Sequence, residues 1–129
     1  MNEYQAIWQL MGDKNFLEFI PTGSREICNP PPMDTDYDIV ALITHEGWGI
    51  PRKFGFISSS ANAEEYELSA FYQFECFRFG EINLIITPDK DFFDMWKKAT
   101  KIAKEQNLLK KEDRIRLFDD IMYSMEESE

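Results

Sequence analysis

Two aspartates open an apolar segment of this chain, and a Gly-Ser pair precedes them across residues 25–35. Asp36 and Asp38 begin a stretch typical of a β-strand, in which residues two apart point to the same side. Both carboxylates are therefore expected at one spot. Hard divalent cations take oxygen ligands and usually keep substrate phosphates in their shell. Gly23 and Ser24 offer backbone N–H groups and a hydroxyl that suit phosphate oxygens. Together these residues predict a site for a metal-bound nucleotide.

The charged residues of this segment also have plainer interpretations. The acids could belong to a polar loop that runs into a strand and caps a turn. However, two like charges on one face of a half-buried strand are costly unless a cation lies between them. That cost favours the metal site, with Asp34 at most in its outer sphere. Arg25 could donate to a phosphate, or it could pair with Glu26 or Asp34.

The string GSREICNPPPMDTDYD, with NLIIT later in the chain, resembles the DNA polymerase β superfamily of nucleotidyltransferases, and in particular small phage-encoded nucleotidyltransferase-like proteins. The resemblance extends from about Phe16 to Tyr123. It implies a minimal nucleotidyltransferase fold and transfer of a nucleoside monophosphate from a nucleoside triphosphate to an acceptor hydroxyl on RNA, protein or a small molecule. In that scheme Asp36 and Asp38 hold Mg²⁺ or Mn²⁺, while Gly23, Ser24 and Arg25 hold the triphosphate.

Members of this superfamily use a third carboxylate on a later strand, and here the matching position is Asn83. An amide cannot take a proton, so Glu81 is expected to supply the carboxylate instead. A two-residue hairpin loop at Phe79-Gly80 would pair Arg78 with Glu81 and turn Glu75 to the other face. We therefore expect Glu81 as general base, with Arg78 keeping it ionised and lying among the nucleotide-binding residues. The plainer alternative is an ordinary cross-strand ion pair.

The asparagine at this position also supports a second hypothesis from another class. Without the third acid, and without a second domain for an acceptor, the chain could be a non-catalytic relative. Such a protein would bind a nucleotide or a host protein, for example as a phage factor acting against a host system.

Composition indicates one folded domain. The chain has 129 residues, of which 43% are hydrophobic and 15% aromatic, enough to form a core. We expect a single domain over 1–129, with residues 126–129 as a disordered acidic tail. No apolar run is long enough to span a membrane, and the N-terminus lacks the apolar core of a signal peptide. A cytoplasmic location is therefore expected, in the host if the protein is phage-encoded.

The charge balance limits the choice of partners. With 24 acidic and 14 basic residues the formal net charge is −10, so binding of duplex DNA is not expected. A nucleotide neutralised by a cation remains compatible with this charge. Basic residues do recur at helical spacing, either as a solvated face or as a phosphate track for a nucleic-acid acceptor. They are Lys97, Lys98, Lys101, Lys104, Lys110, Lys111, Arg114 and Arg116.

The remaining chemistry-bearing residue types are sparse. His45 is the single histidine in the sequence, and Cys28 and Cys76 follow no metal-ligand or disulfide pattern. Histidine-based acid–base chemistry, a Ser-His-Asp arrangement and a zinc site are therefore not expected. Both cysteines are predicted to be reduced thiols.

The elements that position these residues follow from periodicity. Apolar residues at i, i+3, i+4 and i+7 predict a first helix with Tyr4, Ile7, Trp8 and Met11 on its buried stripe. Strands are predicted over 16–20, 36–44, 68–78 and 81–87, with a further possible short strand over 53–57. Helices are predicted after Pro88, with Phe92, Trp96, Ala99 and Ala103 on one stripe, and over 112–125. The predicted class is α+β, a small mixed sheet with helices packed on one face.

Overall fold

The computed structural model of the chain describes residues 1–32, 36–59 and 72–127. In chain order its elements are α1 (Glu3–Met11), β1 (Phe16–Thr22), α2 (Gly23–Ile27), β2 (Tyr37–Ile43), α3 (Ile50–Lys53), β3 (Ile57–Ser58), β4 (Glu75–Phe79), β5 (Ile82–Thr87), α4 (Lys90–Glu105) and α5 (Lys111–Glu127). Asp34 and the first part of the strand predicted over 68–78 lie outside the described residues. The possible strand over 53–57 is instead the end of α3 followed by β3.

Across the described residues the strands form one mixed sheet of five, in the order β1-β2-β5-β4-β3. β2 and β5 run parallel, and the other neighbours run antiparallel. The predicted α+β domain with a small mixed sheet is confirmed. The register places Asp38 between Thr22 of β1 and Asn83 of β5. The end of β1 and the starts of β2 and β5 therefore meet at one end of the sheet.

One face of the sheet is covered by α4 and α5 through an aromatic core. Phe92, Trp96 and Phe118 are buried there against Val40 and Ile85 of the sheet. The Trp96 and Phe118 ring centroids are 4.4 Å apart, a distance typical of closely packed rings. Asp89 is the N-cap of α4, and its side chain accepts from the backbone N–H groups of residues 91 and 92. The apolar stripe predicted for this helix is buried as expected.

The opposite face is covered by α1 and α3, where the sequence predicted helices on one face only. The residues of α1 that contact the sheet are Ala6 and Leu10, both fully buried. Of the predicted buried stripe, Ile7 is half-buried against this core, whereas Tyr4, Trp8 and Met11 are 49%, 73% and 53% exposed. The prediction for this face was wrong because apolar residues occur around most of the helix. The small Ala6 side chain lets the backbone approach the sheet, and that selects the buried side.

Two further findings concern the ends of the chain and the membrane. α5 continues to Glu127, into the segment expected to be a disordered tail, and residues 128–129 lie outside the described part. Among the helices of the described residues, none is both long and apolar enough to cross a membrane.

Candidate functional site

Asp36 and Asp38 lie at the start of β2 and converge on a third side chain, that of Asn83. The Asn83 amide Nδ2 lies 3.1 Å from Asp38 Oδ1 and 3.4 Å from Asp36 Oδ2. The alternation of β2 turns both carboxylates to one face, and the parallel pairing with β5 brings Asn83 directly beside Asp38. The structure thus places the two predicted carboxylates together, with an amide donor between them.

Arg78 completes this group, which we call the carboxylate cluster (Asp36, Asp38, Arg78 and Asn83). Its guanidinium donates to Asp36 Oδ1 at 3.0 Å and to Asn83 Oδ1 at 3.3 Å. Because the guanidinium only donates, it holds the amide oxygen of Asn83 and turns the amide nitrogen toward the aspartates. Within the cluster the Asp36 carboxylate is therefore paired with a cationic residue of the chain itself.

The hairpin register differs from the one predicted. Arg78 pairs with Asn83 and Phe79 with Ile82, so the two-residue loop is Gly80-Glu81 and not Phe79-Gly80. Gly80 has φ +55, and a glycine with positive φ at the first loop position is favoured in tight hairpins. Because the loop lies one residue further along the chain, the partner of Arg78 is Asn83 and not Glu81.

Glu81, the expected general base, lies in that turn on the α1 side of the sheet. Its carboxylate Oε2 accepts from the Tyr4 hydroxyl at 2.8 Å, and its backbone N–H donates to Glu3 Oε2 at 3.4 Å. The structure therefore brings Asp36, Asp38 and Arg78 together and places the Glu81 carboxylate with α1. Hydrogen bonding to Glu81 raises the pKa of the Tyr4 phenol above its usual range, and the negative charge of Glu81 adds to the effect.

Gly23 and Ser24 begin α2 directly after β1, and Gly23 packs against Asp38. Gly23 has φ +75, in the region that favours glycine. A Cβ at this position would overlap the Asp38 carboxylate, lying 2.8 Å from its Cγ. Ser24 is half-buried, and its carbonyl accepts from the Cys28 N–H. Glycine is thus required at position 23 because the Asp38 carboxylate occupies the space that a Cβ would need.

The environment of Asp38 disfavours its charge. Burial raises the pKa of the Asp38 carboxyl, and the nearby Asp36 carboxylate adds to the rise. The Asn83 hydrogen bond, Lys111 and Arg114 act in the opposite direction without cancelling it. A cation placed between the two carboxylates would offset this cost.

The divalent cation implied by the superfamily resemblance can be tested against these donors. Carboxylate oxygens are the ligands that Mg²⁺ prefers, and one or two carboxylates with substrate phosphates form a common shell. Asp36 and Asp38 fit that requirement in kind and position. Among the described residues, however, no group of three or more His, Cys, Asp or Glu side chains could hold a metal. The protein therefore offers two carboxylates, and a substrate would have to supply further oxygens.

Arg25 contacts an aromatic ring at the start of β2. Its guanidinium carbon lies 4.1 Å above the centroid of the Tyr37 ring, a cation–π contact. Glu26, one of the two acids considered as partners of Arg25, forms an ion pair with Lys104 at 2.7 Å. The planar guanidinium is thus held against Tyr37, which lies between Asp36 and Asp38 in the sequence.

The basic residues of α4 are partly used in ion pairs with the rest of the domain. Lys97 contacts Glu18 at 2.6 Å, and Lys104 contacts Glu26 at 2.7 Å. These pairs agree with the interpretation of the stripe as a solvated, charge-balancing face. His45 lies in a 3-10 turn after β2, at the far end of that strand from the aspartates.

Sequence reasoning missed two aromatic residues at this end of the sheet. Tyr37 lies between the two aspartates and therefore points to the opposite face, where its ring meets Tyr4 edge-on at 6.2 Å. Strand alternation alone could have indicated Tyr37. Nothing in the sequence indicated Tyr4, because α1 was predicted to bury that side.

Comparisons of the chain with known protein families, with curated proteins and with solved structures find no match.

Proposed function

We propose that this domain binds a nucleoside triphosphate together with Mg²⁺ or Mn²⁺ and transfers the nucleoside monophosphate to an acceptor hydroxyl. The observation that carries the proposal is the convergence of Asp36, Asp38 and Gly23 at one end of the sheet. In the sequence these residues are separated by a proline-rich loop, and in the fold Gly23 lies against Asp38. Two carboxylates beside a strand-to-helix junction suit a cation-bound triphosphate.

Each residue of the site has a role in this proposal. Asp36 and Asp38 would hold the cation, which when bound neutralises the phosphate oxygens and stabilises charge that develops on them. Gly23 lets Asp38 lie against the start of α2, and Gly23 and Ser24 would offer backbone N–H groups and a hydroxyl to phosphate. Arg25 and Arg78 would donate to phosphate oxygens. Arg78 compensates Asp36 as long as no cation does so.

A second candidate function, nucleotide binding without transfer, is favoured by the asparagine at position 83. The Asn83 amide donates to both aspartates and cannot accept a proton. Glu81 is hydrogen-bonded to Tyr4 on the other face. A general base for the acceptor hydroxyl would therefore have to be an aspartate of the cluster or a group of the substrate. Binding with no turnover against any acceptor would support this second function.

The acceptor is proposed to be an RNA end, a protein or a small molecule, and the place of action to be the cytoplasm. Neither Cys28 nor Cys76 is in a disulfide, as is usual for proteins of reducing compartments. Duplex DNA is a poor candidate for the acceptor, because the formal net charge of −10 repels it.

Thermal unfolding with Mg²⁺ or Mn²⁺ and each nucleoside triphosphate tests the proposed binding. A ligand that binds only the folded state at a hundred times its dissociation constant stabilises by about 2.7 kcal/mol. The double variant Asp36→Asn/Asp38→Asn should lose this response while remaining folded. Asp120→Asn, an exposed acid on α5, is the matched control and should keep it. An equal response in the double variant would contradict the proposal.

Incubation of the protein with labelled nucleoside triphosphates, Mn²⁺ and total RNA, protein extract or small-molecule hydroxyl compounds tests the transfer itself. The proposed enzyme labels one class of acceptor, and the double variant does not.

A further inference from the structure

A cavity of about 320 Å³ lies at the end of the sheet where β2 begins, mainly on the α1 face, and it shares Asp38 with the carboxylate cluster. It is open to solvent on one side and is lined by residues of α1, the end of β1, α2 and the starts of β2 and β5. The volume falls within the range of small-molecule sites, which are mostly apolar with a few placed polar groups. Ile7, Ile39 and Ile82 contribute apolar walls, and Asp38 lines one side.

The cavity also carries planar surfaces. Tyr37 and Arg25 both line it, and they are stacked with 4.1 Å between the guanidinium carbon and the ring centroid. Tyr4, on the facing helix, is held by its hydrogen bond to Glu81 and its edge-on contact with Tyr37. Aromatic rings and guanidinium planes are the groups on which proteins stack nucleobases. These walls are therefore suited to a flat heterocycle.

We infer that this cavity binds the nucleobase of a nucleotide whose phosphates lie at Asp36, Asp38 and Gly23. The inference rests on the proposed function and names the part of the molecule that recognises its substrate. Asp38 connects the two sites, because it belongs to the carboxylate cluster and also lines the cavity. A ligand with a flat apolar base at one end and a cation-bound triphosphate at the other would match both.

Titration with adenosine, without metal, tests the cavity separately from the phosphate site. Isoleucine methyl signals of Ile7, Ile39 and Ile82 should shift and saturate. Ile85 and Ile121 pack on the opposite face of the sheet and should not. Absence of saturable shifts in the three cavity residues, or shifts confined to Ile85 and Ile121, would overturn the inference. Equal shifts with benzyl alcohol would overturn the choice of a nucleobase.

A pair of tyrosine variants tests the stacking surface. Tyr37 is 40% exposed and Tyr123, on α5, is 45% exposed, so replacing either leaves the core intact. Tyr37→Ala should weaken adenosine binding on the order of tenfold, as expected for loss of a stacking ring. Tyr123→Ala should leave it unchanged, and the methyl spectrum reports that both variants are folded. Adenosine binding that is unchanged in folded Tyr37→Ala would overturn the inference.

Failure of this inference can be told apart from failure of the proposed function. Asp36 belongs to the carboxylate cluster but does not line the cavity. Asp36→Asn should therefore weaken the binding of Mg²⁺ with inorganic tripolyphosphate and leave adenosine binding intact. Adenosine binding with no response to Mg²⁺-tripolyphosphate would remove the proposed function and retain the cavity as a base site. Loss of adenosine binding in folded Asp36→Asn would contradict the assignment of the base to this cavity.

Discussion

The two faces of the sheet differ sharply at the end where β2 begins. On the α4 and α5 face, the carboxylate cluster is held by donors from β4 and β5. On the α1 face, three residues, which we call the tyrosine–glutamate group, pack at the surface: Tyr4, Tyr37 and Glu81. Side chains that are adjacent in the sequence point to opposite faces, since Tyr37 lies between Asp36 and Asp38. Proximity along the chain therefore says little about which side chains can act together.

The faces also differ in how firmly they fix a carboxylate. Asp38 is half-buried, and Gly23 lies against it so closely that no Cβ fits. Glu81 is exposed and is held by one hydroxyl. A buried carboxylate with fixed partners can hold a cation in a defined position, whereas an exposed one is screened and contributes little. The carboxylates of the cluster are therefore held by more partners than the Glu81 carboxylate is.

The largest expected effect is a loss of folding stability, and it is expected to differ between a glycine on each face of the sheet. Gly23→Ala should destabilise the fold by about 2–4 kcal/mol, because the positive φ is strained for alanine and its Cβ would displace the buried Asp38 carboxylate. Gly80→Ala should cost only about 1–2 kcal/mol. Its φ is also positive, but its Cβ meets the end of the Glu3 side chain, which can move. Chemical unfolding of both variants measures the difference.

The glycine comparison also bears on ligand binding. Gly23→Ala should weaken cation binding in the absence of nucleotide, since Asp38 must shift. Equal destabilisation by the two glycine variants would contradict the close packing inferred at Asp38.

A smaller effect is expected from restoring a carboxylate at position 83. Asn83→Asp removes the amide that donates to both aspartates and adds a like charge, so stability without cation should fall by about 1–3 kcal/mol. Mn²⁺ should restore stability, because three carboxylates then face one point. Unfolding with and without Mn²⁺ measures the change.

The same variant distinguishes the two proposed functions. If the natural chain labels no acceptor and Asn83→Asp does, the natural protein is a binding relative. Stability of Asn83→Asp that does not respond to Mn²⁺ would contradict a cation site at the cluster.

The smallest effect is expected on the α1 face, from Glu81→Gln. Nucleotide binding and turnover should remain within about twofold of the natural chain, since hydrogen bonds at exposed sites contribute little. The pKa of the Tyr4 phenol should fall toward its usual value once the carboxylate is gone. NMR titration of the labelled tyrosines would detect this change. A large loss of turnover would instead restore Glu81 as the base.

The sign of the linked pH dependence follows from the raised pKa of Tyr4. The folded state holds the phenol proton more tightly than the unfolded state does. The stabilisation is therefore complete below the unfolded pKa and is lost as the pH rises through the folded pKa. Glu81→Gln should reduce this alkaline loss.

The sequence by itself determined the fold class, most strand positions and the helices α4 and α5. Their signals are local: an apolar run in β5, an aspartate cap at Asp89, and a buried stripe around Phe92. It also determined that Asp36 and Asp38 share a face, because the period of a strand is fixed at two residues. These features depend on a few neighbouring residues and on backbone geometry.

Tertiary structure alone decided which other side chains join them. The hairpin loop lies one residue further along the chain than predicted, which moves each partner on β5 by two residues and exchanged Glu81 for Asn83 opposite Arg78. The buried side of α1 was likewise decided by Ala6 and Leu10 fitting the sheet, since apolar residues surround the helix. Register and helix rotation depend on the balance of many long-range contacts. Periodicity within one element does not contain that information.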